Sequence, residues 1–214
     1  MGRNPERGSV RAAGLSPGQR LFRYFTWGLV HVVQRPKVCG PRPSPDAPTI
    51  YACRHLGLMD PVILMVVYFR QMIHPLVARD YVEKNRFTRA FYPFVGCIPI
   101  DRNNVSKKWL EDSLSVLEKG DSVIIFPEGR RNKSGEGLLP FRNGVAMLAA
   151  RSGARVVPVY NAVWKFPHRY RLAIGEPVQL DPVPESGETA EWLNGQTQRI
   201  QAAVGGLSAR VASC

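Results

Sequence analysis

The sequence predicts a single α/β domain, a sandwich with a mixed sheet flanked by helices, preceded by an N-terminal interfacial helix. Three observations predict it. From Thr49 onward, short apolar runs alternate with longer segments of helical periodicity. Several of those runs lead straight into polar turns that carry Gly or Pro. The length of 214 residues suits one hydrophobic core.

The elements follow in order. Residues 1–15 are rich in Gly and Arg and are expected as a disordered basic tail. Residues 16–35 are expected as a membrane-associating helix. Ser16-Pro17 is a start signal, Leu21–Val33 is apolar, and Pro36 ends the segment. Pro36, Pro41, Pro43, Pro45 and Pro48 mark residues 36–48 as an extended linker. Residues 49–207 form the main domain. Its expected strands are Thr49–Cys53, Pro75–Ala78, Val95–Ile100, Ser122–Phe126, Arg155–Val163 and Tyr170–Ile174. Its expected helices are Pro61–Gln71, Val82–Phe91, Val105–Lys119, Phe141–Arg151 and Glu188–Leu207. In the helix at 105–119, Leu110, Leu114 and Leu117 share a face, and Gly120 supplies the stop.

Composition narrows the function. With 44 % hydrophobic and 21 % charged residues, the chain is not a wholly disordered one. A net charge of +12 points to an anionic partner: nucleic acid, an anionic membrane or a phosphorylated substrate. No aromatic-basic nucleic-acid motif appears, so nucleic acid is not expected. The longest uncharged stretches, Tyr24–Gln34 and Ala90–Ile100, fall short of the roughly 20 residues a spanning helix needs. No secretory signal is expected either. Cys39, Cys53, Cys97 and Cys214 form no CxxC pair, and with His31, His55, His74 and His168 they make no zinc-like spacing. All four cysteines are expected as unpaired structural residues of a reduced compartment, with Cys53 and Cys97 in the core.

Four short constellations carry chemistry. His55 and Asp60 lie across a strand-to-helix turn, where the carboxylate can hold one ring nitrogen and leave the other to take a proton from a hydroxyl. The plainer reading is a helix N-cap at Asp60 with Pro61 behind it. Arg102 follows the strand ending at Ile100 and can offer a bidentate fork to phosphate, or it belongs to a solvated turn. Pro127 and Gly129 force a turn that holds Glu128 and Arg131 at the mouth of another strand, or this is a polar loop. Pro158 interrupts a strand and is expected at an edge or a bulge near the site.

These four elements, in this order, resemble the glycerolipid acyltransferase family over roughly residues 20 to 180. The family's His-x4-Asp motif reads here as His55 and Asp60. Its Gly-x-Ile-x-x-x-Arg motif reads as Gly96, Ile98 and Arg102. Phe126–Gly129 with Arg131 matches its Phe-Pro-Glu-Gly motif, and Pro158 its Val-Pro strand. The segment from Leu139 to Gly144 is similar to the family's Leu-Pro-Phe-Lys-x-Gly stretch. Gly57, Arg130 and Asn132 depart from the usual Ser, Thr and Ser.

The resemblance implies an acyl transfer from acyl-CoA or acyl-carrier protein to the hydroxyl of a lysophospholipid. The closest motif match is to enzymes acylating 1-acyl-glycerol-3-phosphate, which yields phosphatidic acid. Another acceptor, such as glycerol-3-phosphate, a lyso-aminolipid or a glycolipid, stays open, as does a non-catalytic basic membrane-binding protein. His55 would be the general base and Asp60 its orienting partner. Arg102 and Arg131 would bind the acceptor phosphate, with Glu128 and Gly129 shaping that pocket and Pro158 in the acyl-donor region. No cofactor and no metal is implied, since a thioester is already activated. The expected location is peripheral, on the cytoplasmic face of an anionic membrane. A helix at 16–35 packed on the domain's own core is the alternative to a membrane anchor.

Overall fold

A computed structural model describes residues 15–42, 47–69, 71–101, 107–134, 136–164 and 169–214. In chain order the elements are α1 (Pro17–Val33), β1 (Lys37–Cys39), β2 (Thr49–Cys53), α2 (Asp60–Val67), β3 (Ile73–Ala78), α3 (Arg79–Val82) and α4 (Arg86–Phe94). Then come β4 (Ile98–Ile100), α5 (Lys108–Glu118), β5 (Ser122–Ile125), α6 (Gly144–Ser152), β6 (Arg155–Trp164), β7 (Arg169–Ile174), α7 (Ala190–Gly206) and α8 (Ser208–Ser213). The strands form one seven-stranded sheet in the order β1-β7-β6-β2-β5-β3-β4. Every pairing is parallel except the hairpin of β6 and β7. The sheet is therefore mixed, as expected.

Successive residues of a strand face opposite sides, and two apolar cores result. Ile50 and Ala52 of β2, with Val123 and Ile125 of β5, face α5, α6, α7 and α8. Tyr51 and Cys53, with Ile124, Val157, Val159, Leu172 and Ile174, face α1 and α2. A sheet buried on both faces reads as continuous apolar runs, which is why TIYAC and SVII were visible as strands.

Several boundaries differ from the sequence reading. The expected helix at 82–91 is two helices, because Asn85 and Thr88 form a reciprocal capping box that starts α4 afresh. The expected strand from Val95 begins only at Ile98, since Val95 caps α4. The expected start of α5 at Val105 lies outside the described residues. The linker expected at 36–48 contributes β1, which pairs with β7 from Lys37↔Arg171 to Cys39↔Ala173. Three residues are too few for a period to be read.

Two expectations are overturned. Cys39 and Cys214 form a disulfide, with Cα atoms 5.9 Å apart, that fastens β1 to the segment after α8. Cysteines 175 positions apart are brought together only by the sheet order, so spacing could not reveal them. Cys53 and Cys97 remain free thiols. Burial raises the Cys53 pKa well above its usual value and pushes Cys97 up to about 12. Pro158 is at neither an edge nor a bulge. It pairs with Ala52 in β6, which lies between β2 and β7. Its carbonyl accepts the Gly175 N–H at 2.9 Å, so its ring nitrogen faces the same side, just where β7 has ended at Ile174. The missing N–H therefore removes no bond to β2. A side chain on Gly175 would come within 2.8 Å of the Pro158 ring, so only glycine permits this approach.

α1 begins at Ser16 and Gln19, which cap it reciprocally. Arg23 ties it down with bonds to the carbonyls of Phe69 (2.5 Å) and Gln71 (2.8 Å). Phe22 meets Phe91 and Phe94 edge-on, and Val30 is buried. The opposite face is apolar yet open: Leu21, Phe25 and Val32 are 72 %, 67 % and 72 % exposed. The helix thus packs on the domain through one face and leaves a second apolar face uncovered. Among the described residues no helix is long and apolar enough to cross a membrane.

Candidate active site

β2 delivers His55 just past its C-terminal end, and α2 starts with Asp60. The five-residue turn closes on the Asp60 carboxylate. Oδ2 accepts the backbone N–H of Leu56 at 2.6 Å and of Gly57 at 2.9 Å, and it lies 2.8 Å from His55 Nδ1. The plainer N-cap reading of Asp60 does not describe this: Met59 is the N-cap, and Asp60 and Pro61 are the first two helical residues. An anion there also complements the partial positive charge of the helix start. With Asp60 accepting the Nδ1–H, Nε2 is left as a proton acceptor. The ring stacks on Phe126, centroids 4.2 Å apart, which fixes its plane.

Glu128 is buried at 3 % exposure. One carboxylate oxygen accepts the His55 backbone N–H at 2.8 Å and the other the Leu139 N–H at 3.0 Å. It fastens the turn after β2 to the loop before α6 and does not line the neighbouring cavity. Asn132, also buried, joins the same arrangement. Its N–H donates to the His55 carbonyl at 2.7 Å, and its amide donates to the carbonyls of Glu136 and Gly137. The Asn at this departure from the family pattern is thus an intramolecular brace.

His55 opens onto a cavity of about 570 Å³. Its walls are mainly apolar, with Phe22, Met65, Phe91, Trp109 and Met147 drawn from α1, α2, α4, α5 and α6, and Phe69 from just after α2. Arg131 and Arg142 also line it. Arg131 donates weakly to the Tyr81 hydroxyl at 3.4 Å. Arg142 was not singled out from the sequence. It lies close over Gly129, where a Cβ would stand 2.7 Å from its Nε. Gly129, at φ +68°, therefore supplies both the left-handed turn and the space for that guanidinium. The Lys-like position in the stretch from Leu139 to Gly144 was the signal that could have found Arg142. A second, more open recess of about 460 Å³ is lined by Arg130, Lys133 and Ser134, and meets the first at Arg131 and Tyr81.

The structure thus brings together His55, Asp60, Gly129 and Arg131, with Glu128 behind them. Pro158 is apart, lining neither cavity. Arg102 lies outside the described residues, although Asp101 before it lines the larger cavity. Two residues missed in the sequence also reach the dyad: the Tyr170 hydroxyl donates to Asp60 Oδ1, and Asn161 donates to that hydroxyl at 3.1 Å.

A buried carboxylate orients an imidazole at the wall of an apolar cavity lined also by Arg23, Arg131 and Arg142, an arrangement suited to proton transfer with an amphiphilic, anionic substrate. Residues 35–162, more than half of the chain, match the profile of the Acyltransferase family, and the chain belongs to that family. It is 26 % identical over 168 residues to the 1-acyl-sn-glycerol-3-phosphate acyltransferase of Bacillus subtilis, a stretch covering 73 % of this chain and 81 % of the relative. It is 32 % identical over 120 residues to the 1-acyl-sn-glycerol-3-phosphate acyltransferase of Cocos nucifera, covering 51 % of this chain but only 36 % of that one. With the human 1-acyl-sn-glycerol-3-phosphate acyltransferase alpha, identity is 25 % over 73 % of this chain and 57 % of that one. The fold is similar to that of the crystal structure of the 1-acyl-sn-glycerophosphate acyltransferase PlsC from Thermotoga maritima, with a TM-score of 0.58, 22 % identity, and coverage of 90 % of this chain and 79 % of that one.

Proposed function

We propose that this acyltransferase moves a fatty acyl group from a thioester donor to the free hydroxyl of 1-acyl-glycerol-3-phosphate, giving phosphatidic acid. The observation that carries the reading is the His55–Asp60 pair, 2.8 Å apart, at the wall of an apolar cavity that also holds Arg131 and Arg142. Three of the relatives just named carry that acceptor in their names.

In this reading Nε2 of His55 takes the hydroxyl proton as the oxygen attacks the thioester carbonyl. A C–O bond forms, and Asp60 stabilises the imidazolium. Collapse of the tetrahedral intermediate breaks the C–S bond, and the departing thiolate takes the proton back from His55. Arg131 and Arg142 hold the acceptor phosphate by charge-assisted hydrogen bonds, with Arg102 assigned to the same group. The apolar walls take hydrocarbon. Glu128 acts indirectly, by fixing the His55 backbone.

The donor is acyl-CoA or acyl-carrier protein, both of which carry phosphate beside the thioester arm. The basic recess formed by Arg130, Arg131 and Lys133 supports a donor phosphate there, because it shares Arg131 and Tyr81 with the acceptor's cavity. The enzyme works peripherally on an anionic membrane, with the open apolar face of α1 lying in the interface. The cytoplasmic face is proposed because its anionic leaflet complements a net charge of +12. The Cys39–Cys214 disulfide is a feature more usual in oxidising compartments, so counting oxidised thiols in protein taken directly from cells tests that placement.

The deciding experiment offers the purified chain a mixture of lysolipids, with glycerol-3-phosphate included, together with acyl-CoA or acyl-carrier protein, and identifies products by mass spectrometry. Phosphatidic acid as the main product is expected. A product from another acceptor corrects the substrate, and no acyl transfer to any of them overturns the reading.

A further inference from the structure

Asp60 receives more donors than the orientation of one imidazole requires. Three of them reach Oδ2: His55 Nδ1–H and the backbone N–H groups of Leu56 and Gly57. The other oxygen, Oδ1, accepts the hydroxyl of Tyr170, which comes from β7, 110 residues further along the chain. That hydroxyl in turn accepts from the Asn161 side-chain amide of β6 at 3.1 Å. The Asn161 backbone carbonyl accepts from the Arg54 guanidinium at 3.2 Å. Asp60, Tyr170, Asn161 and Arg54 are 4 %, 4 %, 2 % and 2 % exposed, so the whole chain of contacts is shut away from water.

The polarity is misplaced for a residue that only packs. Along this face of β6 and β7, Val157, Val159, Leu172 and Ile174 all lie in the apolar core beneath α2, while Val163, the register partner of Tyr170, is exposed. The Tyr170 ring belongs to that core, and a phenylalanine would fill its place. Only the hydroxyl leaves the apolar layer, and it ends on the carboxylate that holds His55. Neither Tyr170 nor Asn161 lines the cavity, so neither meets substrate.

We infer that Tyr170, backed by Asn161, is a positioning residue for the His55–Asp60 pair. This rests on the reading of His55 as the general base. The hydroxyl fixes the second carboxylate oxygen, so that the first stays in line with Nδ1, and it stabilises the carboxylate as an anion. An anionic, aligned Asp60 is what keeps the proton on Nδ1 and the lone pair on Nε2, and what stabilises the imidazolium as the hydroxyl proton arrives. Loss of one hydrogen bond to a buried charge corresponds to roughly 10- to 150-fold in rate when that charge acts in the transition state.

The test is Tyr170→Phe, alone and combined with Asp60→Asn, assayed on soluble short-chain acceptor. The single variant is expected to lose about 10- to 100-fold in kcat, with acceptor and donor KM both within about twofold of the parent. In the Asp60→Asn background the same substitution is expected to change kcat less than about twofold, because the charge it acts through is gone. Where that background turns over too slowly to measure, the Nδ1-bound proton of ¹⁵N-labelled His55 gives a second readout: Tyr170→Phe shifts or broadens its downfield resonance. An unchanged kcat in folded Tyr170→Phe overturns the inference. So does an equal fall in both backgrounds, or an unperturbed resonance. His55→Ala run alongside separates the two readings: if it stays active, the general-base reading itself fails, whereas an inactive His55→Ala beside a normal Tyr170→Phe refutes only the positioning role.

Discussion

Glu128 is placed by the structure on two backbone N–H groups, and Glu128→Gln tests what that arrangement does. Its two oxygens accept two backbone N–H groups in a site only 3 % exposed. Glutamine keeps one acceptor oxygen and turns the other into an amide N–H₂ that faces an N–H donor. Hydrogen bonds to a buried charge are worth about 1.5–3 kcal/mol each, and a buried donor left without an acceptor costs about 1–3 kcal/mol. Weakening one bond and losing the other predicts a destabilisation of about 2–5 kcal/mol. At about 2–4 °C per kcal/mol for a chain of this size, Tm should fall by roughly 4–20 °C. The same change frees the His55 backbone, so kcat should drop about tenfold or more through misalignment of the dyad. Acceptor KM should stay near the parent value, since Glu128 does not line the cavity. Calorimetry and initial rates on the same preparation check both halves. An unchanged Tm with a raised acceptor KM would refute this reasoning and place Glu128 in direct contact with substrate.

His55→Ala should lower kcat by about 10²- to 10⁴-fold, the usual scale for a lost general base, in a protein that still unfolds cooperatively; near-parent turnover would end the proposed mechanism. Arg131→Ala and Arg142→Ala should each raise acceptor KM by about 10- to 150-fold, as loss of a charge-assisted phosphate contact implies; a change confined to donor KM would reassign the arginine concerned. Phe25→Ser with Leu29→Ser removes two exposed apolar side chains from α1 and should weaken binding to anionic vesicles on the order of 100-fold, at about 1–2 kcal/mol for each partly buried side chain. Unchanged vesicle sedimentation would remove α1 as the membrane contact. Cys39→Ser should destabilise the fold by about 2–5 kcal/mol by opening a loop with a separation of 175 residues; a denaturation midpoint identical to the parent's in the absence of reductant would show that the bond contributes nothing.

Much of the sheet was legible because it is buried on both sides. Parallel strands in that setting show unbroken apolar runs, and β2, β5 and most of β6 and β7 were found where TIYAC, SVII and their like stand. β1 was not, because three residues beside Pro36 have no periodicity and are strand only through pairing with β7. The candidate site divides in the same way. His55 and Asp60 are joined by one local turn, so their spacing allowed the contact that Oδ2 and Nδ1 make, beside the helix N-cap it equally allowed, and the motif resemblance chose between them. Arg131 and Gly129 likewise sit in one turn after β5. Glu128 was found as a residue shaping the pocket, but its bonds to two backbone N–H groups were not legible, since an acidic residue beside a basic cluster looks the same whether it faces substrate or backbone.

By itself the sequence determined what depends on near neighbours: the capped start of α1, the turn that joins His55 to Asp60, and the turn bearing Gly129. Each is a matter of dihedral preference and hydrogen bonds across a few residues. The tertiary structure alone decided what depends on strand order. It set Pro158 in the middle of the sheet with its missing N–H beyond the end of β7, and joined Cys39 to Cys214. It also carried Tyr170 across 110 residues onto Asp60 and laid Arg142 over Gly129. Such contacts leave no periodic trace in the chain, because they arise from which strands lie side by side, and that follows from burying both faces of one sheet at once.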